Sequence, residues 1–405
     1  MVASIVTELI DLQTVNEAKM SESRKDCQAS LMRWLSAGLR EEAAAERIFV
    51  QLCERLVLGG IDLSRASLHF RVHHPQWLGT RVLWCRGLVD AHVQTVAYDV
   101  EATDAFKRSP FRLVIETGNE VRQKIQTIGP HTFPIYDELR QQGHTDYAAW
   151  PLDHTQGRRH LITFATKRLG GFQEDEIALI REALPLFSLV TEIRLKNQLA
   201  RTLLQTYVGP HASEQILDGA TTRGRGVTLS AAIMICDLRN FTELSGRRHR
   251  DDVIDILNDY FDLIADPIES FGGEILKFIG DGLLAVFPLD REDACRRLLS
   301  AVVAAYEATA KRRVSEYPIR FGTGIHVGEV MYGNIGSKRR LDFTVIGPAV
   351  NLASRLESLT KELGRPVLVS GDFVAAASCS AQTDCLGLHK VKGFDAAVEV
   401  HALQI

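Results

Sequence analysis

The order of hydrophobic periods after residue 227 constrains this chain more than any other feature. Val227 to Cys236 is an apolar run that reads as a strand, and Val253, Ile256, Leu257, Tyr260 and Ile264 then mark one face of a helix. Glu274 to Ile279 and Leu283 to Phe287 flank Gly280-Asp281-Gly282 as a hairpin, and Ala294, Leu298, Val302 and Tyr306 recur at steps of four on a second helix. Strands at Ile319 to Ile325 and Glu329 to Ile335, a helix from Ala349 to Thr360, and strands at Pro366 to Val369 and Ala397 to Leu403 follow.

Strand, helix, hairpin, helix, strand is the order of a ferredoxin-like core with additions, so an α+β domain is expected over 227–405. Upstream, Ser4 to about Leu58 is rich in helix formers, including the run from Arg40 to Arg47, and Gly59-Gly60 stops the pattern. Residues 1–40 are read as a helical lead-in and 41–189 as an α/β domain. Its strand signals lie at Ser67 to Val72, Arg81 to Cys85, Tyr147 to Leu152 and His160 to Ala165; the stretch with Pro110, Gly118, Pro130 and Pro134 carries no clear assignment. After Gly170-Gly171, the acidic turn Phe172-Gln-Glu-Asp-Glu-Ile177 opens a helix. The segment from Tyr147 to Leu189 resembles the end of a GAF-type sensor domain; a generic α+β domain is the alternative. Leu186, Val190, Ile193, Asn197, Ala200 and Leu204 follow the a/d spacing of a coiled coil with Asn at one a position. Such a stripe fits either a parallel dimer or an amphipathic helix lying on its own domain, and 190–226 is read as a coupling helix and linker, its helix ending at Gly209-Pro210.

Composition excludes whole classes. A chain of 405 residues, 45% hydrophobic and 24% charged, holds two or three folded domains. Its 47 Lys and Arg against 51 Asp and Glu leave no excess of positive charge for nucleic acid. Seven scattered cysteines without a Cys-x-x-Cys pair suggest neither a disulfide framework nor a zinc site. No apolar run is long enough to span a bilayer, and a cytoplasmic location is expected.

Chemistry enters through carboxylates. Asp237 follows the apolar strand directly and Asp281 sits at the hairpin tip, so adjacent strand ends would present two hard oxygen donors to divalent ions. Each has a plain alternative, a helix cap for Asp237 and a turn residue for Asp281. Four strings alter that balance: Ile235-Cys-Asp237-Leu-Arg-Asn-Phe-Thr242, Lys277-Phe-Ile-Gly-Asp281, Gly324-Ile-His-Val-Gly-Glu329, and Val345-Ile-Gly-Pro-Ala-Val-Asn351-Leu-Ala-Ser-Arg355. Together, over roughly Val227 to Leu403, they closely resemble the class III nucleotidyl cyclases.

The resemblance implies an adenylate cyclase that converts ATP to 3′,5′-cyclic AMP and pyrophosphate. Asp237, Asp281 and the Leu238 carbonyl would hold two Mg²⁺ or Mn²⁺ ions per site, one activating the ribose 3′-hydroxyl and the other anchoring the triphosphate. Backbone N–H groups from Leu238 to Thr242, Phe241 included, would receive phosphate oxygens. Asn351 would orient the ribose, Arg355 would neutralise charge on the transferring phosphorus, and Lys392 would contact phosphate. The family's centre lies between two cyclase domains, so one complete set per chain implies a head-to-tail homodimer with two shared sites. Lys277 matches the adenine-reading lysine. At its partner position Thr344 replaces the commoner Asp, which places the chain near a bicarbonate-responsive subgroup; Asp342 lies two residues off that register. The resemblance therefore implies bicarbonate as a regulator to expect, and a small molecule is the ligand expected of the N-terminal sensor. Two other readings are a nucleotide-binding module without turnover and a diguanylate cyclase, the latter prompted by Phe271-Gly-Gly-Glu-Ile275. In the sensor, His69 and His73 invite a metal reading, but core or surface histidines are the simpler account.

Overall fold

A computed structural model describes residues 7–11, 24–37, 44–71, 76–88, 90–129, 132–157, 159–311 and 318–405, and the chain divides into two compact units, Met1–Leu203 and Leu204–Ile405. Among the described residues no helix is long and apolar enough to cross a membrane.

The first unit comprises β1 (Thr7–Asp11), α1 (Arg24–Ala37), α2 (Ala45–Leu58), β2 (Arg65–Arg71), β3 (Gly79–Cys85), β4 (Asp90–Val96), α3 (Asp104–Lys107), α4 (Pro110–Thr117), β5 (Val121–Lys124), α5 (Pro134–Gln141), β6 (Asp146–Asp153), β7 (Arg159–Thr166) and α6 (Glu174–Val208). Its strands form one antiparallel sheet in the order β1-β4-β3-β2-β7-β6-β5. Alternation along β6 distributes side chains to two cores: Ala148, Trp150 and Leu152 meet α1, α2 and α6, while Tyr147 and Ala149 meet α4 and α5. The unassigned proline stretch folds by a rule its residues carry. Pro110 and Pro134 each open a helix, and Gly118 closes the first in the left-handed region at φ 71°. Pro130, His73, His74, His131, Val72 and residues 40–43 lie outside the described residues.

Two boundaries differ from the sequence reading. The lead-in expected over 1–40 contains the strand Thr7–Asp11, paired with β4, and Leu31, Trp34 and Leu35 of α1 enter the same core as Phe49 and Phe164. This segment is therefore part of the first unit, because an edge strand takes its pairing from a partner far along the chain. In α6, Leu186 and Val190 pack on the first unit's own core, whereas Ile193 is 48% exposed and Asn197 and Ala200 are also exposed. The heptad stripe thus serves its own domain at the start, is uncovered at Ile193, Asn197 and Ala200, and is half-buried again at Leu204.

The second unit begins with the last turn of α6, from Leu204, then α7 (Pro210–Leu217) after Gly209 at φ 85°, and continues through β8 (Gly226–Leu238), α8 (Phe241–Arg247), α9 (Arg250–Ser270), β9 (Glu274–Ile279), β10 (Gly282–Pro288), α10 (Ala294–Lys311), β11 (Phe321–Gly336), β12 (Leu341–Ile346), α11 (Pro348–Glu362), β13 (Val367–Ser370), α12 (Gly371–Ala377), β14 (Thr383–His389) and β15 (Val398–Leu403). Val208, Ala212 and Ile216, assigned from sequence to a linker, pack into this unit's core. The sheet order β14-β15-β13-β11-β8-β10-β9 contains β11-β8-β10-β9, the arrangement of a ferredoxin-like β-α-β-β-α-β core. Helices α9, α10 and α12 cover one face, and α11 lies on the other. The two strands expected at Ile319 to Ile325 and Glu329 to Ile335 are one continuous strand, β11, because β8 pairs with it without interruption from Gly226 to Leu238. Phe271-Gly-Gly-Glu lies at the start of β9, where a side chain on Gly273 would meet the Phe287 ring at 2.4 Å. Its glycines answer to packing and not to diguanylate chemistry.

Candidate active site

Asp237 is the penultimate residue of β8 and stands opposite Gly282 of β10 and Gly322 of β11. Gly280 and Asp281 make the two-residue turn between Ile279 and Gly282, with Gly280 at φ 64°, and the Asp281 carbonyl accepts the Leu238 N–H at 3.2 Å. The two aspartates therefore sit on adjacent strand ends. Burial and the Asp237 charge raise the Asp281 carboxyl above its ordinary range. Glu357 of α11 is raised by burial and by the same Asp237 charge. Such a concentration of carboxylates asks for cations, and Asp237 and Asp281 fit two oxygen-liganded divalent ions.

Lys361 and Arg239 supply part of that positive charge. Lys361 Nζ lies 3.2 Å from Asp237 Oδ2, and the Arg239 guanidinium stands 3.7 Å from Glu357 and bonds the Thr360 hydroxyl. The sequence reading named neither. Arg239 lies inside the Asp237 string, but Lys361 is six positions beyond Arg355, off the helical face that carries Asn351.

The phosphate cradle expected from Leu238 to Thr242 is shorter than predicted. The Leu238 N–H is taken by Asp281, and the Arg239 N–H donates to the Arg320 carbonyl at 2.7 Å. Asn240 in the left-handed region (φ 61°), Phe241 and Thr242 remain at the start of α8. Phe241 packs partly into the core and Thr242 is exposed.

Asn351 and Arg355 occupy successive turns of α11, exposed, with side chains that engage no partner among the described residues. The helix lies close on β11 because of two glycines: a side chain on Gly324 would meet the Ala353 carbonyl at 2.2 Å, and one on Gly328 the Ala349 side chain at 2.8 Å. Asp237 meets the far end of this helix. Ten residues separate Asn351 from Lys361, about 15 Å of helix rise, so within one chain Asn351 stands well away from the aspartates.

Lys277 on β9 forms an ion pair with Asp342 on β12, and Thr344 lies two residues further along the same side of that strand, opposite Gly333. Lys392 is exposed in the connection between β14 and β15.

Residues 227–404 match the model of the adenylate and guanylate cyclase catalytic domain. This segment is a class III cyclase catalytic domain. Adenylate cyclase 1 of Rhizobium meliloti is 34% identical over 175 residues, covering 42% of this chain and 26% of the relative. An adenylate cyclase of Anabaena cylindrica is 32% identical over 206 residues, covering 49% of this chain and 40% of the relative. The chain therefore spans well under half the length of either curated relative. Among solved structures, the adenylyl cyclase CyaB from P. aeruginosa is similar at 27% identity and a TM-score of 0.39, covering 44% of this chain and 95% of that one. All four quoted strings fall inside the cyclase domain.

Proposed function

We propose that the chain is an adenylate cyclase that converts ATP to 3′,5′-cyclic AMP and pyrophosphate at two sites shared between two copies. The observation that carries this reading is the separation within one chain between the Asp237–Asp281 pair and Asn351, together with the exposure of Asn351 and Arg355 on one face of α11. Each copy presents two half-sites, and a head-to-tail pair completes both.

In the reaction the ribose 3′-oxygen forms a bond to the α-phosphorus, the bond from that phosphorus to the bridging oxygen breaks, and the hydroxyl proton passes to solvent. Two divalent ions, Mg²⁺ or Mn²⁺, held by Asp237, Asp281 and the Leu238 carbonyl, supply charge neutralisation for the triphosphate and acidify the hydroxyl when bound. Arg355 of one copy meets the charge that grows on the phosphorus, a role that needs a cation free of a fixed partner. Asn351 orients the ribose, and Asn240 to Thr242 and Lys392 receive phosphate oxygens. Lys277 donates to adenine N1, and the Thr344 hydroxyl accepts from the adenine amino group.

The first unit acts as the regulatory part. Its antiparallel sheet between helical layers is compatible with a GAF-like sensor, and the stripe uncovered at Ile193, Asn197 and Ala200 supports a parallel coiled coil between copies. Thr344 makes bicarbonate a regulator to test, by titration at fixed pH. The decisive experiment is incubation of the full chain with ATP or GTP and Mn²⁺, followed by separation of products. Cyclic AMP as the main product is expected; absence of any 3′,5′-cyclic nucleotide from dimeric protein overturns the reading.

A further inference from the structure

At the sheet edge, β14 and β15 bring together three donors of different kinds. Cys385 stands directly opposite His401, and Glu399 lies two residues before His401, so all three side chains share one face. A register shift between Cys385 and Gly387, with Gly387 at φ 86°, bends the edge strand at this point. One ligand atom from each of Cys385, Glu399 and His401 lies within 4.8 Å of the other two. Glu399 Oε1 is 3.7 Å from Cys385 Sγ and 3.1 Å from His401 Nε2. Around a tetrahedral zinc ion, sulfur and oxygen ligands stand about 3.5 Å apart, and nitrogen and oxygen ligands about 3.3 Å.

The surroundings fix these donors. The Thr383 hydroxyl lies 3.3 Å from His401 Nδ1, which holds the ring and leaves Nε2 turned toward Glu399, the outer-shell support that metal-binding histidines use. Glu399 rests against Gly371, where an added side chain would come within 3.0 Å of its carboxylate. The His401 side chain is 12% exposed, while Cys385 is open to solvent and gives an ion its path of entry.

We propose that Cys385, Glu399 and His401 form a site for a borderline-soft divalent cation of the zinc class, with water as fourth ligand. Binding releases the Cys385 thiol proton to solvent, and the thiolate, the carboxylate and the neutral imidazole supply the three protein ligands. The ion ties β14 to β15 at the base of the connection that carries Lys392. None of its ligands belongs to the Asp237–Asp281 pair, and the site does not rest on the cyclase reading.

The test titrates the reduced, chelator-stripped full chain with Co²⁺ and follows the near-ultraviolet thiolate-to-cobalt band, which carboxylate sites such as Asp237 and Asp281 do not give. One equivalent is expected to produce the band, and Zn²⁺ to displace it. Cys385→Ser should abolish it, His401→Gln should weaken binding at least about tenfold, and Cys85→Ser should leave it unchanged. Circular dichroism confirms that each variant is folded, and Glu399→Gln, on an exposed side chain, gives a second variant that should weaken binding. No band in the unaltered chain, a band that survives Cys385→Ser, or affinity indifferent to both His401→Gln and Glu399→Gln overturns the site.

Discussion

Lys361 Nζ lies 3.2 Å from Asp237 Oδ2, so the last turn of α11 sets a cation against one of the two carboxylates that would hold the metal ions. Helix α11 would therefore touch the proposed site twice over: its end meets Asp237 in its own chain, and in the proposed head-to-tail pair its exposed Asn351 and Arg355 would face the other copy. A lysine beside a metal site repels the incoming ion, and at about 4 Å in water the interaction of two unit charges is about 1 kcal/mol. Lys361→Met is expected to lower the Mn²⁺ concentration needed for half-maximal activity by about fivefold. Steady-state rates across a Mn²⁺ series at saturating ATP measure this, and an unchanged or raised requirement removes Lys361 from the site.

The ion pair between Lys277 and Asp342 gives a second test, because Asp342 and Thr344 share one side of β12 and only one of them needs to read the base. With Thr344 as the acceptor for the adenine amino group, Thr344→Ala loses one hydrogen bond, and ATP-over-GTP discrimination in kcat/KM should fall about tenfold. Asp342→Ala should leave discrimination within about threefold, since it orients Lys277 without touching the base. The reverse ranking of the two variants assigns the base to Asp342.

Legibility in the sequence follows from how local each determinant is. The ferredoxin-like order was readable because the helices of the second unit are amphipathic and the Gly280-Asp281 turn marks its hairpin. Asp237 and Asp281 were readable because each stands at a strand end. Strand β12 was not, since Leu341 to Ile346 becomes a strand only by pairing with the far end of β11. The same holds for β1, which takes its ladder from β4. Lys361 could not be found from spacing because what brings it to Asp237 is the packing of α11 on β11, set by Gly324 and Gly328. The phosphate cradle was overdrawn for a related reason: the Arg239 N–H is consumed by the Arg320 carbonyl, a contact between residues 81 positions apart.

In the first unit, burial, with smaller contributions from Arg81 and Arg65, depresses His69 from its ordinary value to about 3. The Ser67 hydroxyl lies 2.9 Å from its Nε2, and the Phe111 ring stands edge-on at 5.1 Å. A base whose folded pKa is depressed is neutral in the native state and takes up a proton on unfolding. Its contribution is thus fully present above about 6.5 and is lost as pH falls from there toward 3. Between those limits His69→Gln should reduce the slope of unfolding free energy against pH by about 1.4 kcal/mol per unit, one proton's worth. Urea unfolding of the full chain at pH 4 to 6.5, followed through the first unit's tryptophans, reads the slope. Identical slopes for the two proteins show that His69 is not the titrating group.

A shared site makes a quantitative claim about mixed dimers. Asp237→Ala removes a metal ligand from one half-site and Arg355→Ala removes the transition-state cation from the other, so each variant alone has both of its sites broken. In a mixed dimer the losses fall unevenly: one site carries both substitutions, and the other receives unaltered Asp237 from one copy and unaltered Arg355 from its partner. Random pairing of equal amounts makes half the dimers mixed, each with one working site of two, so co-expression should restore about a quarter of unaltered activity. The single variants should each fall at least about a hundredfold. Cyclic nucleotide formation by the co-expressed variants, purified through one affinity tag that both carry, checks the number. If the mixture is as inactive as its components while remaining dimeric, Asp237 and Arg355 serve the same copy, and the separation along α11 has another meaning.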